Sequence, residues 1–140
     1  MTTSIDTSII VSLGSHKTEL NSPASNALES VAAGGGLVIS APVFAELIAA
    51  PGFNEESIAE FCAGAGIVIE LEMAETVWRE AGRSFQAYAK RRRHSGDHHP
   101  RCILADFLIG AHALVNGYAL LTMDKSIYRA AFPALKLLTC

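Results

Sequence analysis

Apolar positions along the chain fall into two alternating rhythms. Four short apolar runs are bounded by glycine or polar residues and are too short for helices. They are Ile5 with its neighbours, Leu37–Ser40, Ile67–Leu71 and Tyr118–Thr122, and a weaker fifth lies at Lys136–Thr139. Continuous runs of this length read as strands buried on both faces. Each of the first four is followed by a helical pattern. Strand alternating with helix predicts an α/β fold, with a parallel sheet of four to five strands and helices on both faces.

The helices carry recognisable ends. Pro23–Ala33 has Ser22 and proline at its start and Gly34–Gly36 past its end. Ala41–Pro42 opens a second helix that stops before Pro51–Gly52, and Asn54 caps a third, Glu55–Ala63, closed by Gly64 and Gly66. The longest runs from about Met73 to His94, with Met73, Val77, Ala81, Phe85 and Tyr88 on one face and Glu75 four residues before Arg79 on the other. Gly96–Pro100 breaks it. Arg101–Asn116 follows, then a short helix from Asp124 through Tyr128, ended by Pro133.

Composition narrows the class. With 140 residues, half of them apolar, one domain spanning 1–140 can bury a sizeable core without disulfide staples. The net charge of −3 hides an asymmetry: residues 1–78 hold ten acids and one base, whereas 79–140 hold ten bases and four acids. Such a basic half is suited to a polyanionic partner. Cys62, Cys102 and Cys140 are odd in number and widely spaced, as expected of reduced thiols in a cytoplasmic protein. Neither a secretory leader nor a membrane span is expected.

Four carboxylates stand apart from the solvated helix acids. Asp6 follows the first strand, Glu46 lies about one helical turn after the second, and Asp124 follows the fourth. The C-terminal ends of parallel strands share one edge, where ligands bind. Asp106 shares a helical stripe with Gly110, Ala113 and Gly117, small residues that allow close approach, so it is expected to face inward. Taken singly, Asp6 and Asp124 read as turn or cap residues, Glu46 as the partner of an arginine and Asp106 as a first-turn helix acid. Together they repel one another, and a hard cation offsets that repulsion. Carboxylates without Cys or His fit Mg²⁺ or Mn²⁺ better than Zn²⁺.

The stretch Asp106-Phe107-Leu108-Ile109-Gly110-Ala111-His112-Ala113, then Leu120-Leu121-Thr122-Met123-Asp124, then Tyr128-Arg129 and Phe132-Pro133, resembles PIN-domain ribonucleases, specifically the toxins of VapBC-type toxin–antitoxin pairs. Ile5-Asp6-Thr7-Ser8 and Val43–Leu47 match as well, and the resemblance covers nearly the whole chain. It implies a three-layer PIN-like fold and a metal-dependent endoribonuclease, the toxin of a type II pair, that hydrolyses RNA phosphodiesters with a cation-activated water. By that resemblance Asp6, Glu46, Asp106 and Asp124 form the catalytic and metal-binding acidic quartet. Thr122 is the hydroxyl beside the last acid and Ser8 a helper. A small antitoxin and a second copy of the chain are the implied partners. Met123 departs from the basic residue frequent in relatives, which bears on substrate contacts and not on the metal site. The alternative is a non-catalytic PIN-like module that binds RNA or protein; a metal-dependent phosphatase is a third.

Lys90–Arg93 and Arg101 flank a loop carrying His98 and His99. On charge alone a solvated helix end and a phosphate contact are equally open. The acid edge favours the second, making Arg91, Arg92, Arg93, His98, His99 and Arg101 candidate RNA contacts. Arg79 and Arg83 read as solvated. The histidines with Asp97 are better suited to phosphate or water than to a transition metal. His112 is expected at a helix surface or an interface, away from Asp106. Phe44, Leu47, Ile48, Phe53, Ile58 and Phe61 leave more apolar face than one sheet needs, which suggests a partner surface.

Overall fold

The computed structural model of the chain describes residues 1–14, 22–94 and 104–140. The elements run β1 (Thr3–Ile5), α1 (Thr7–Gly14), α2 (Pro23–Gly34), β2 (Leu37–Ser40), α3 (Ala41–Ala49) and α4 (Glu55–Ala65). They continue with β3 (Ile67–Glu70), α5 (Glu75–His94), α6 (Ala105–Val115), β4 (Ala119–Thr122), α7 (Ser126–Ala131) and β5 (Leu137–Thr139). Every strand pairing is parallel and the sheet order is β3-β2-β1-β4-β5. The chain winds outward from β1 in one direction, then returns and winds outward in the other. With right-handed crossovers, the two halves place their helices on opposite faces. The reversal falls between β1 and β4, the switch point at which such sheets bind ligands.

The expected elements form for local reasons. Ser22 Oγ accepts from Ser25 N (3.2 Å) and Pro23 opens α2. Asn54 and Ser57 cap α4 reciprocally, at 2.8 and 3.0 Å. Gly66 ends α4 in the left-handed region (φ 71°), which a side chain would strain. Ile5, Ile9, Ile39, Val43, Leu47, Phe107, Ile109 and Leu120 are fully buried. Each such side chain contributes roughly 1.5–3 kcal/mol on leaving water. Phe107 is the hub of the α5–α6–α7 packing. Its ring lies 5.3 Å from Phe85, 5.4 Å from Tyr88 and 5.9 Å from Phe132. Gly110, one turn on, lets Phe132 in so closely that a Cβ there would overlap the ring.

Several expectations are corrected. The third strand is not buried on both faces: β3 is an edge strand, and Val68 is exposed. The apolar surplus of α3 and α4 is largely core. Leu47 and Ile58 are buried and Phe44, Phe53 and Phe61 pack against them, leaving only Ile48 exposed among the six. Large exposed apolar side chains lie instead at Val68, Leu71 and Trp78. Cys62 is buried, which pushes its thiol pKa up, and Cys140 is exposed; Cys102 lies outside the described residues. No helix among the described residues is long and apolar enough to cross a membrane.

Candidate active site

The switch point brings the N-terminal strand and the C-terminal elements together. Asp6 extends β1 by one residue, and its N–H donates to Leu121 O of β4 (2.9 Å). Its carboxylate is buried and fully engaged. Oδ1 accepts from Thr7 N (2.9 Å) and the Tyr128 hydroxyl (3.0 Å). Oδ2 accepts from the Thr122 hydroxyl (2.7 Å) and the Ser8 hydroxyl (2.9 Å). Thr122 and Ser8 each take a second bond on the same oxygen, from Asp124 N (3.1 Å) and Met123 N (3.1 Å). The two helper hydroxyls thus fasten Asp6 to the turn that carries Asp124.

Asp106 reaches this edge from another direction. α6 runs antiparallel to β4, so its first turn lies where the strands end. There the Tyr128 hydroxyl stands 3.2 Å from Asp106 Oδ1. One hydroxyl proton faces both Asp6 and Asp106, and it serves one carboxylate at a time. The Asp106 pKa is raised, chiefly by burial and next by the charge of Asp6. Glu46 and Asp124 add smaller upward pushes, while the Tyr128 hydrogen bond pulls it down. Asp106 therefore senses all three other members of the proposed quartet.

The remaining two acids stand at the exposed rim. Glu46 on α3 accepts the Thr7 hydroxyl at Oε1 (2.7 Å). Asp124 accepts from Ser126 N (3.2 Å) and the Ser126 hydroxyl (2.8 Å), both at Oδ1, which fixes the start of α7. Met123, between the strand and Asp124, is half exposed.

The donor set is all carboxylate oxygen, the chemistry of a hard cation such as Mg²⁺ or Mn²⁺. Among the described residues, no three His, Cys, Asp or Glu side chains stand close enough to hold a metal ion in the present conformation. The donor chemistry fits a hard cation; the side-chain spacing does not yet gather around one.

Tyr128 was missed from sequence because it fits the apolar pattern of its short helix. Its signal was available, since a buried tyrosine needs a partner for its hydroxyl. Burial and the two neighbouring carboxylates drive its pKa far above the usual range.

The basic residues divide. Arg91 donates to Ala130 O of α7 (2.9 Å), and Arg92 donates from Nε to the Tyr88 hydroxyl (3.1 Å) with its guanidinium over the Tyr88 ring. Lys90 is exposed. His98, His99 and Arg101 lie outside the described residues, as do Asp97 and the side chains of Arg93 and His94. Arg79 and Arg83 pair with Glu75 (2.5 Å) and Glu80 (3.2 Å) on the exposed face of α5. His112 is not a surface residue. It is buried, with Nε2 3.2 Å from Glu70 Oε1.

A family model described as PIN domain matches residues 4–133. In fold the chain is similar to VapBC-1 from nontypeable Haemophilus influenzae, at 20% identity over 99% of this chain and 98% of that one, with a TM-score of 0.69. It is similar to VapBC2 from Rickettsia felis, a structure bound to a DNA fragment from their promoter, at 20% identity, the same coverage and a TM-score of 0.66. FitAcB from Neisseria gonorrhoeae matches at 20% identity over 97% and 96%, with a TM-score of 0.63. No curated protein matches the chain in sequence.

Proposed function

The chain belongs to the PIN domain family, and from that premise we propose that it is a Mg²⁺- or Mn²⁺-dependent endoribonuclease, the toxin of a toxin–antitoxin pair. The observation that carries this reading is geometric: the Tyr128 hydroxyl stands within hydrogen-bond distance of both Asp6 and Asp106, and the Thr122 hydroxyl joins Asp6 to the turn of Asp124. Like charges gathered at a sheet switch point oppose folding, and a ligand cation offsets them.

Asp6, Asp106 and Asp124 would hold the cation, with Glu46 as a further ligand or as the acid that orients water. When bound, the cation supplies neutralising charge to the phosphodiester and a water of lowered pKa. Asp6 is the fixed point, set by four hydrogen bonds from Thr7, Ser8, Thr122 and Tyr128. Such fixing limits the reorganisation that accompanies the reaction. Glu46, exposed and bonded to Thr7 through Oε1, keeps Oε2 to orient a water or accept its proton. Arg91 and Arg92 lie on the α5–α7 side, where a phosphate backbone gains cationic partners.

Asp6→Asn is the test. It should lower cleavage of RNA by about a hundredfold or more, weaken Mn²⁺ binding in calorimetry and leave the circular dichroism unchanged. Undiminished cleavage by that variant overturns the reading. One observation favours a second reading, a non-catalytic PIN-like module: protein hydrogens alone already satisfy Asp6. A wild-type chain that binds RNA tightly yet neither takes up Mn²⁺ nor cuts would establish it.

A small antitoxin protein is the proposed partner, supported by the family resemblance and by the fold similarity to VapBC structures. A second copy of the chain is the other, and Val68, Leu71 and Trp78 supply exposed apolar surface for it. Light scattering of the purified chain and of Trp78→Ser tests the dimer, which the substitution should shift toward monomer.

A further inference from the structure

A cavity of about 330 Å³ opens between the C-terminal end of α5 and the start of α7, lined by Tyr88, Arg91, Arg92, Ser126, Ile127 and Ala130. Ser126 belongs to the acid cluster as well, since its hydroxyl donates to Asp124 Oδ1 (2.8 Å). Cavity and acids are therefore separated by one small side chain. Their charges are opposite: the described lining holds two arginines and no carboxylate.

The cations and the ring in this cavity are held in place. The Arg92 guanidinium lies over the Tyr88 ring, 5.4 Å from its centroid, and its Nε donates to the Tyr88 hydroxyl (3.1 Å). Arg91 is tied across to Ala130 O (2.9 Å), which joins α5 to α7. Tyr88 packs in turn on Phe107, the residue after Asp106, with centroids 5.4 Å apart. The α6 turn that carries an acid of the site thus also backs the ring of the cavity. A supported aromatic face, a planar guanidinium, an apolar wall of Ile127 and Ala130, and a second cation together suit an unstacked nucleobase and its phosphate. A bare anion needs only the cations, and an apolar helix needs only the wall.

We infer that this cavity is a nucleotide subsite for single-stranded RNA. It takes an unpaired base on the outer plane of the Arg92 guanidinium, which the Tyr88 ring backs, and the adjoining phosphate on Arg91, flanking the phosphodiester that lies at the acids. The inference rests on the ribonuclease reading and adds Tyr88 as the residue that positions the stacking plane. Because a duplex keeps its bases stacked, the subsite favours unpaired RNA.

The experiment uses the full chain carrying Asp6→Asn, with labelled single-stranded and duplex RNA of one length followed by fluorescence anisotropy. Adding Tyr88→Leu, which keeps apolar packing on Phe107 but removes the ring, should weaken single-strand binding about tenfold. Tyr88→Phe should stay within about twofold, because the ring that backs the guanidinium is kept. Arg91→Gln should lower the salt dependence of binding. With 2-aminopurine placed at successive positions, fluorescence should be quenched at one position on binding, and Tyr88→Leu should abolish that quench. This second readout needs only the parent and the leucine variant, whose folding circular dichroism verifies. Equal affinities of the parent and Tyr88→Leu overturn the subsite while leaving RNA binding in place. Failure of the Asp6→Asn chain to bind any RNA overturns both the subsite and the ribonuclease reading. Full competition by a polyglutamate of matched charge overturns it too, since charge alone would then be read.

Discussion

Two clusters on α6 place a tyrosine hydroxyl against a carboxylate, and they solve opposite problems. At the first turn of the helix, Tyr128 stands between Asp6 and Asp106, and every further charge that Asp106 senses is negative. Two turns later Glu70 takes the Tyr118 hydroxyl at Oε2 (2.9 Å) and faces His112 Nε2 through Oε1 (3.2 Å). Burial lowers the His112 pKa, and Glu70 opposes that shift by charge and hydrogen bond. A neutral His112 donates its Nε2–H to Glu70, so the Glu70 carboxylate finds its partners within the chain, while His112 Nδ1 stays buried without one among the described residues. The first lacks a counter-charge among its described members. A carboxylate paired with a donor and a base of its own chain is a structural device, and carboxylates gathered without a counter-charge mark a candidate site.

The comparison breaks most sharply at Asp106. Asp106→Asn should abolish cleavage, by about a hundredfold or more, and raise the thermal midpoint by a few degrees for about 1 kcal/mol regained. A fall of several degrees would mean that the acids are structural after all. His112→Ala should do the reverse. It leaves a cavity and strips Glu70 of a partner, costing about 2 kcal/mol in denaturant unfolding, with cleavage per folded molecule unchanged.

The pH dependence separates the clusters by sign. Asp106 has a raised pKa, so its contribution to stability is present below the ordinary carboxylate value of 3.8 and is lost as pH rises through the raised one. His112 has a lowered pKa, so its contribution is present above the ordinary 6.5 and is lost as pH falls through the lowered one. Midpoints measured across pH should show Asp106→Asn removing the loss on the rising side and His112→Asn removing the loss on the falling side. Identical profiles for the two variants would erase the distinction. The smallest effects belong to the tyrosines. Tyr118→Phe should cost about 1 kcal/mol without touching cleavage. Tyr128→Phe should push the Asp106 carboxyl still higher, because the lost hydrogen bond lowered it, and carbon-detected NMR titration reads that shift.

Much of this arrangement is legible in the sequence because it is written locally. Asn54, Ser22 and Gly66 punctuate helices through hydrogen bonds and backbone angles that reach only a few residues. The expected strands match the observed ones to within two residues wherever glycine or a polar residue bounds them. Strand order is not local, which is why Ile67-Val68-Ile69 reads as buried on both faces although β3 is an edge with Val68 exposed. The four acids are visible as oddities after strands, whereas the bonds among them depend on the fold. His112 reads as a helix-surface or interface residue because its stripe differs from that of Asp106, and it is buried. Yet Phe107, Ile109, Ala111 and Ala113 make α6 apolar on every side, the mark of a helix covered all round. Tyr128 shows the limit from the other direction: its ring has a core signature, and its hydroxyl acquires meaning only beside residue 6.

The bonds to Asp6 also set a schedule. The fastenings of the carboxylate to Thr122 and Tyr128 come from residues 116 and 122 positions later. Contacts of such separation form late, after the loop-closure cost of nearly the whole chain has been met. A nascent chain short of α7 therefore carries the acid without the geometry around it.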